Sequence, residues 1–299
     1  MANGRYAPSP TGPLHLGNLR TALLAWLFAR SAGSGFVVRM EDLDRVTSSP
    51  EHEQAQLRDL AALGLDWDGP VIRQSERFDL YRAAIARLDD AGLTYRCYCT
   101  RREIREAAAA PHGSLPEGAY PGTCRDLTDD ERAELEAQGR RAAIRLRTNG
   151  ERITFVDRLH GETTGVVDDV VLQRNDGVPA YNLAVVIDDA LQGVEEVVRG
   201  DDLLMSTPRQ VHLMRLLDLP VPTYAHVPLV LGPDGARLAK RHGAVTMADL
   251  AARGVDADGV RTRLAASLGL CRPDERVTPQ QLLERFDPDA LPRRPWRLD

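Results

Sequence analysis

The first ninety residues alternate short apolar stretches with segments whose apolar positions recur at helical spacing. Residues 5–7 and 36–40 have the compact apolar character of strands. Between them, a helix is predicted to begin near Gly17, because apolar side chains recur there every three or four positions: Leu19, Leu23, Trp26 and Leu27. Further helices are predicted around 51–63 and 76–91. Strands that alternate with helices are typical of a parallel α/β sheet.

Cysteines, glycines and prolines interrupt this alternation at 95–125, and the pattern then resumes. A helix is predicted from Ser206, as a capping residue followed by Pro208 in the first turn, through Leu217. Asn-Asp-Gly at 175–177 predicts a turn. Apolar stretches predict strands at 143–147, 153–157, 170–174 and 194–199.

The chain after Arg241 has a helical pattern, with Thr246 and Thr278 as candidate helix caps. Together these patterns predict a doubly wound, Rossmann-type α/β domain that an insertion interrupts and a short helical segment closes. The predicted division is a first half of a nucleotide-binding domain, an insertion, a second half and a helical C-terminal segment: 1–94, 95–145, 146–245 and 246–299.

The composition is that of an ordinary globular protein. The 299 residues are 43% hydrophobic and 27% charged, and no apolar run approaches the ~18 residues that a membrane-spanning helix needs. The first residues lack the charged-then-apolar layout of a signal peptide, so we expect a cytoplasmic protein whose cysteines stay reduced. The net charge of −6 excludes an overall basic coat for nucleic acid, although it permits a local basic patch.

The distribution of positive charge singles out one position. The chain has 38 basic residues, and a single one of them, Lys240, is a lysine. Lysine carries a compact, flexible point charge, whereas arginine carries a rigid planar fork. Lys240 therefore marks either a place where the arginine fork does not fit or a surface lysine that has persisted by chance.

The turn between the first strand and the first helix is a candidate nucleotide site. Residues 8–13 (Pro-Ser-Pro-Thr-Gly-Pro) cannot form regular structure, and they lead into His-Leu-Gly-Asn at 15–18. A strand, a turn and a helix N-terminus in this order direct backbone N–H groups and the helix dipole at an anion. Gly17 permits close approach of a base or phosphate. Read alone, these residues are also typical of a turn with a surface histidine at His15.

A second glycine-rich segment, 232–241, follows a predicted strand at 228–231 and contains Lys240. A loop of this kind with a point charge suits a polyphosphate whose charge moves during a reaction. An exposed basic loop would have the same composition. Its combination with the turn at 8–18 favours a functional role.

These two segments resemble the signature sequences of the class I glutamyl-tRNA synthetases. The first signature corresponds to 7–12 and 15–18, and the second to Arg-Leu-Ala-Lys-Arg at 237–241. Both depart from the common pattern, since Asn18 ends the first and the second retains only its later lysine. The resemblance runs through most of 4–245, and it implies a class I aminoacyl-tRNA synthetase catalytic domain that binds ATP through a defined set: Pro8, His15, Gly17, Asn18 and Lys240.

The resemblance also implies a catalytic step, the attack of a glutamate carboxylate on the α-phosphorus of ATP. A carboxylate is ionised at neutral pH, so this attack needs positioning and charge stabilisation rather than a general base. The candidate catalytic residues are His15 and Lys240, which would stabilise the phosphate oxygens. Mg²⁺ is expected with the ATP.

A glutamate pocket is implied at the carboxyl ends of the strands. Glutamate presents one ammonium group and two carboxylates, so its pocket needs guanidinium groups and at least one carboxylate. By resemblance, Arg5 and Arg199 hold carboxylates, Glu41 holds the ammonium group and Tyr181 hydrogen-bonds the substrate, although Arg199 read alone would be a surface charge. Val185 stands where full-length relatives commonly carry a polar residue. The implied set is Arg5, Ala7, Ser9, Glu41, Tyr181 and Arg199.

The interruption at 95–125 contains the pattern C-x-C-x20-Y-x3-C, formed by Cys97, Cys99, Tyr120 and Cys124. Two thiolates two positions apart can share one tetrahedral zinc ion, and a third closes most of the cage. A disulfide between Cys97 and Cys99 would be strained. On the residues alone His112 is the conventional fourth ligand, whereas the resemblance implies Tyr120. A closed site with four protein ligands predicts one structural zinc ion per chain.

Within this family, the short chain and the cysteine insertion are most similar to the glutamyl-Q branch, whose members consist of the catalytic domain alone. The similarity implies a monomer that activates L-glutamate with ATP without tRNA and transfers it to queuosine at the wobble position of tRNA(Asp). Two alternatives stay open. One is a truncated synthetase that charges the 3′ end of tRNA(Glu), and the other is a nucleotide-binding module without catalysis.

Overall fold

Helices and strands alternate through much of the chain in the computed structural model, which describes residues 2–108, 120–236, 238 and 245–298. The helices are α1 Leu16–Ser31, α2 Pro50–Ala62, α3 Phe78–Asp90, α4 Arg101–Ala108, α5 Asp129–Ala137, α6 Tyr181–Leu191, α7 Thr207–Leu216, α8 Met247–Ala251, α9 Ala257–Ser267 and α10 Pro279–Arg285. The strands are β1 Asn3–Tyr6, β2 Gly35–Met40, β3 Ile72–Arg73, β4 Thr94–Cys97, β5 Ala143–Leu146, β6 Arg152–Asp157, β7 Gly161–Val166, β8 Val171–Gln173, β9 Val194–Gly200, β10 Thr223–Val227, β11 Val230–Leu231 and β12 Trp296–Arg297.

The central sheet of the described chain has seven strands in the order β3-β2-β1-β9-β10-β6-β7. Neighbouring strands are parallel except for the antiparallel hairpin of β6 and β7. From the centre, β1, β2 and β3 extend to one side, and β9, β10 and β6 extend to the other. This confirms the predicted doubly wound α/β fold. The switch point between β1 and β9 opens a crevice at the carboxyl ends of the strands, where such sheets bind ligands.

Two hydrophobic cores cover the two faces of this sheet. Val198 on β9 packs in a cluster with α1, whereas its neighbour Val197 packs with Val211 of α7. Because successive strand residues point to opposite faces, α1 and α7 cover opposite sides of the sheet. Helix α1 is buried along most of its length, since α9 and α10 pack on it from outside. Within the ranges described, no helix combines the length and the apolar composition that a bilayer span requires.

Two of the three predicted helix caps are confirmed by the structure. Thr246 and Thr278 do cap helices, since their hydroxyls accept the backbone N–H of Asp249 and Gln281, at 3.2 Å in each case. The prediction for Ser206 was wrong. Its backbone is already helical, because a 3₁₀ turn runs directly into α7, and its hydroxyl donates to the carbonyl three residues earlier at 2.6 Å.

Five strands of the described chain escaped prediction: β3, β4, β7, β10 and β12. Strand β7 is largely polar and exposed, so it lacks the apolar signal by which strands are recognised. Strand β12 has two residues and pairs in parallel with β11, with Trp296 N–H donating to the Leu229 carbonyl at 3.0 Å. The strand predicted at 228–231 is thus reduced to two residues. The C-terminal segment holds it in place immediately before the 232–241 loop.

A separate antiparallel sheet, β4-β5-β8, carries the first part of the cysteine segment. Strand β4 ends at Cys97, and the hydroxyl of Tyr95 donates to Asp169 Oδ2 at 2.6 Å. Asp169 also accepts two hydrogen bonds from Thr148, one from the backbone and one from the hydroxyl. A buried, fully paired carboxylate therefore fastens this small sheet to the chain that enters β6.

Candidate active site and metal centre

A cavity of about 480 Å³ opens at the switch point between β1 and β9. It is formed by the ends of β1, β2 and β9 and by the first residues of α1 and α6. Lys240 and His112 lie outside the described residues. The cavity brings together all the other residues that the sequence analysis assigned to glutamate or ATP: Arg5, Ala7, Pro8, Ser9, His15, Gly17, Asn18, Glu41, Tyr181 and Arg199.

His15 forms the N-terminal cap of α1. Its Nδ1 accepts the backbone N–H groups of Gly17 and Asn18 at 3.1 and 3.3 Å, and Asn18 Oδ1 accepts the His15 N–H at 3.2 Å. Since Nδ1 is the acceptor, the ring proton is on Nε2, which leaves a donor directed away from the helix. A Cβ at Gly17 would lie 3.0 Å from the imidazole, so a larger residue there would shift the ring by a few tenths of an ångström.

The turn before α1 is held by a residue that the sequence analysis missed. Gln56 on α2 is buried, and its Nε2 donates to the carbonyls of Ser9 and Gly12 at 3.0 and 2.8 Å. The turn is irregular and lacks the backbone hydrogen bonds of a helix or sheet. The Gln56 amide holds it in place by donating to two of its carbonyls. A glutamine in a mostly polar helix gives no local signal, because its partners lie more than 40 positions earlier in the chain.

The wall behind Arg5 and Glu41 consists of buried charges. Arg39 is 0% exposed and donates to Asp189 Oδ1 at 2.8 Å and to Glu41 Oε1 at 3.4 Å. Arg5 Nε lies 3.5 Å from the same Asp189 oxygen, while its Nη1 donates to the Val198 carbonyl at 3.1 Å. Burial raises the pKa of Glu41, although the charges of Arg39 and Arg5 oppose the rise.

Asp188, next to Asp189 on α6, supports this wall from behind. It accepts hydrogen bonds from Gln74, Arg77 and Tyr81 at 2.7–2.9 Å. Burial, together with the Asp188 charge, raises the pKa of Tyr81. The sequence analysis missed these residues. A pair of aspartates in the apolar helix α6 was the available signal, because buried carboxylates require partners.

Arg199 is buried at the end of β9, so the prediction of a surface charge from this residue alone is wrong. Its Nε donates to His226 Nε2 at 3.0 Å and its Nη2 to Thr207 Oγ1 at 2.8 Å. Tyr181 begins α6 at the cavity, and burial followed by the charge of Glu41 raises the pKa of its hydroxyl. Val185, one turn later, is buried in the core between α3 and α7 and does not line the cavity.

The cysteine segment forms a compact cluster away from this cavity. The sulfurs of Cys97, Cys99 and Cys124 all lie within 4.8 Å of one another, with Cys99 and Cys124 3.3 Å apart. The Tyr120 hydroxyl is 3.3 Å from Cys97 Sγ and 3.7 Å from Cys99 Sγ. Hydrogen bonds from the other two thiols lower the pKa of Cys97.

These separations suit a tetrahedral metal site. Zinc bonds of ~2.3 Å to sulfur and ~2.0 Å to oxygen put neighbouring ligand atoms about 3.5–3.8 Å apart in a tetrahedron. Cys97, Tyr120 and Cys124 are each less than 10% exposed and Cys99 is partly buried, so most of the cluster is shielded from solvent. Arg145 lies over the Tyr120 ring, with its guanidinium carbon 3.7 Å from the ring centroid. The three cysteines can therefore hold a metal ion.

We predict that substitution can separate the helix-capping role of His15 from the catalytic role that the sequence analysis assigned to it. His15→Ala should lower the free energy of unfolding by about 1 kcal/mol, because it removes the cap of α1, whereas His15→Asn should stay close to the wild type, since asparagine caps helices well. Urea unfolding followed by circular dichroism measures both. Equal stability of the two variants would contradict the capping role.

The comparisons with known proteins agree with this geometry. The family model for "tRNA synthetases class I (E and Q), catalytic domain" matches residues 2–282. A glutamyl-Q tRNA(Asp) synthetase from Nocardia farcinica is 65% identical over 99% of this chain and 92% of its own length. Another from Symbiobacterium thermophilum is 51% identical over 100% of this chain and 96% of its own.

A solved structure matches over the whole chain. It is a glutamate tRNA ligase from Elizabethkingia meningosepticum in complex with its amino acid, with a TM-score of 0.83 and 27% identity. The match covers 100% of this chain and 67% of the ligase. The chain therefore belongs to the class I tRNA synthetases (E and Q) and, within them, to the glutamyl-Q tRNA(Asp) synthetases.

Proposed function

We propose that this protein activates L-glutamate with ATP in the absence of tRNA and transfers it to queuosine at the wobble position of tRNA(Asp). The observation that carries the proposal is the cavity, which combines two guanidinium groups and the largely buried carboxylate of Glu41 with the capped start of α1. The relatives named glutamyl-Q tRNA(Asp) synthetase are matched over nearly their full length, which supports the same acceptor here.

The amino acid is held by complementary charge. Arg5 and Arg199 bind its carboxylates, and Glu41 binds the ammonium group from the end of β2. Tyr181 hydrogen-bonds the substrate, while the turn at Ala7 and Ser9 closes the pocket. The burial of Arg5 and Arg199 supports this assignment. A substrate carboxylate that replaces water beside these guanidinium groups interacts with them more strongly, because the surrounding medium has a low dielectric constant.

ATP occupies the other part of the cavity, along Pro8, Gly17 and Asn18. The His15 Nε2–H donates to a phosphate oxygen, and Lys240 supplies a positive charge as pyrophosphate leaves. Mg²⁺ accompanies the ATP and neutralises part of its charge. The glutamate carboxylate needs no general base, so the protein accelerates the step by positioning and by stabilising phosphate charge.

The acceptor is proposed to be a nucleoside in an anticodon loop. The cyclopentene diol of queuosine offers neighbouring hydroxyls comparable to the ribose diol that full-length synthetases esterify. Bases in a loop can be splayed out and bound by protein side chains, which a helical stem does not permit. The chain matches 67% of the glutamate tRNA ligase, and the family model that it matches describes a catalytic domain, which supports ester formation by this chain.

The metal centre is proposed to hold one structural zinc ion, with the Tyr120 oxygen as fourth ligand beside the three cysteines. The ligand separations and the burial of the cluster support this assignment. Thiolate ligands must stay reduced, which suits a protein of the cytoplasm. Zinc in a closed site stabilises the fold and does not take part in the reaction.

The activation step is tested by pyrophosphate exchange. Glutamate, but not glutamine or aspartate, should support exchange of pyrophosphate into ATP without tRNA. His15→Asn should lower the rate at least ~10-fold, about 1.4 kcal/mol of barrier, while it keeps the helix cap, and Lys240→Arg should lower it to a similar extent. A strict requirement for tRNA would contradict the proposal, and full activity of His15→Asn would remove that residue from catalysis.

The acceptor is tested with two modified substrates and radiolabelled glutamate. We expect transfer to tRNA(Asp) that lacks its 3′-terminal adenosine, because the wobble nucleoside is intact. We expect none to complete tRNA(Asp) made without queuosine. The reverse result would indicate a synthetase that charges the 3′ end, and no exchange or transfer at all would favour a binding module.

The metal is tested by elemental analysis of the purified protein, which should contain about one zinc ion per chain. Cys97→Ser should lose the metal and lower the melting temperature, because the site fastens the segment after β4. Cys271→Ser is the matched control, since this thiol packs against the core around α1, apart from the cysteine cluster, and should leave the zinc content unchanged. Folded, active wild-type protein without zinc would contradict the assignment.

A further inference from the structure

We propose that His226 is a positioning residue, which fixes the Arg199 guanidinium and thereby sets the affinity for glutamate and its preference over glutamine. The inference rests on the proposed function, because it concerns the same amino-acid pocket. His226 is 0% exposed and lies on β10, where the parallel register puts it directly beside Arg199 of β9.

Two hydrogen bonds orient the Arg199 guanidinium. Its Nε donates to His226 Nε2 at 3.0 Å, and its Nη2 donates to the Thr207 hydroxyl at 2.8 Å. Its Nη1 is buried and has no hydrogen-bond partner within the part of the chain that the structure describes. A buried donor without a partner is unfavourable, and Arg199 lines the cavity, so a ligand carboxylate would satisfy this group.

His226 can act as the acceptor because Asp157 fixes its tautomer. Asp157 Oδ2 accepts both the backbone N–H of His226, at 3.0 Å, and its Nδ1–H, at 2.6 Å. The other oxygen of Asp157 accepts the backbone N–H groups of Leu159 and His160, each at 3.0 Å. With its proton held on Nδ1, the imidazole offers Nε2 as a lone pair, which Arg199 requires.

The surroundings of His226 keep it neutral. The charged and titratable groups that face it are Asp157 on β6, Arg199 on β9, His160 after β6 and Tyr224 on its own strand. Burial and the charge of Arg199 lower the pKa of His226, which outweighs the opposing effect of Asp157. A protonated ring would direct an N–H at the Arg199 N–H and would release the guanidinium.

This geometry accounts for a preference between glutamate and glutamine. A fixed guanidinium presents donors alone, and both oxygens of a carboxylate accept. A glutamine amide would direct one of its own N–H groups at these donors, and that mismatch discriminates against it. An Arg199 free to rotate would turn away from the amide nitrogen and tolerate it.

Two substitutions of similar size test directly whether a hydrogen-bond acceptor at the position of His226 Nε2 orients Arg199. In His226→Gln the side-chain oxygen reaches the position of Nε2, so it can still accept from Arg199. In His226→Asn the side chain ends at the position of Nδ1, so that bond is lost. We expect His226→Asn to raise the KM for glutamate at least ~10-fold, with kcat and the KM for ATP within about 2-fold of wild type. His226→Gln should remain within about 3-fold in all three.

The same variants test specificity. His226→Asn should lower the ratio of kcat/KM for glutamate over glutamine by at least ~10-fold, whereas His226→Gln should preserve it. Tyr224→Phe is the matched control, because it keeps the ring that stacks on His226 and removes a hydroxyl whose partner is Met214, so it should behave as wild type. Thermal unfolding checks that the variants compared are folded.

Three results would overturn the inference: equal rises in the glutamate KM for the two His226 variants, no rise in either, or a loss confined to kcat. If His226→Asn does not fold, Thr207→Val and Thr207→Ser are compared instead of the two His226 variants. Serine keeps the hydroxyl that accepts from Arg199, whereas valine lacks it. Failure of the proposed function gives a different result, because wild-type protein would then show no glutamate-dependent exchange.

Discussion

The burial of guanidinium groups beside the cavity is the constraint on which the rest of this structure depends. Arg5, Arg39 and Arg199 are each at most 5% exposed, and a buried charge requires partners of opposite charge or hydrogen-bond acceptors. Asp188 and Asp189 meet that requirement for the first two, and the pair Asp157–His226 meets it for the third. These partners come from α6, β6 and β10. The pocket therefore depends on the packing of these three elements against β1, β2 and β9.

In the turn before α1, one side chain has two roles. His15 closes the helix by accepting backbone N–H groups through Nδ1, and the same bonds fix the ring so that Nε2 carries the proton. Gly17 leaves room for the ring, since a Cβ at this position would lie only 3.0 Å from it. Gln56 holds the preceding turn from α2. The proposed phosphate site is thus preorganised by the helix cap itself, which agrees with how helix N-termini bind anions.

Much of the fold followed from local patterns. Apolar periodicity predicted α1, α2, α3 and most strands of the central sheet, because a buried face imposes its spacing on the chain. It missed β3, β4, β7, β10 and β12, of which β7 is polar and β12 has two residues that form a strand only by pairing with β11. It also assigned a cap to Ser206, whereas the preceding 3₁₀ turn already continues into the helix. Elements defined by their partners leave no periodic signal.

The sequence by itself determined the chemistry available to this protein. The two signature segments identified the family, and the cysteine spacing predicted a metal cluster, because both depend on residues that are near in the chain. Only the tertiary structure decided which groups act together. Arg199 becomes part of the pocket through His226 and Thr207, and Arg5 through Asp189, all of which are brought together by the sheet. Val185 is removed from the pocket by the orientation of α6. Contacts between distant segments depend on how strands and helices pack, and a linear pattern does not encode that packing in any single place.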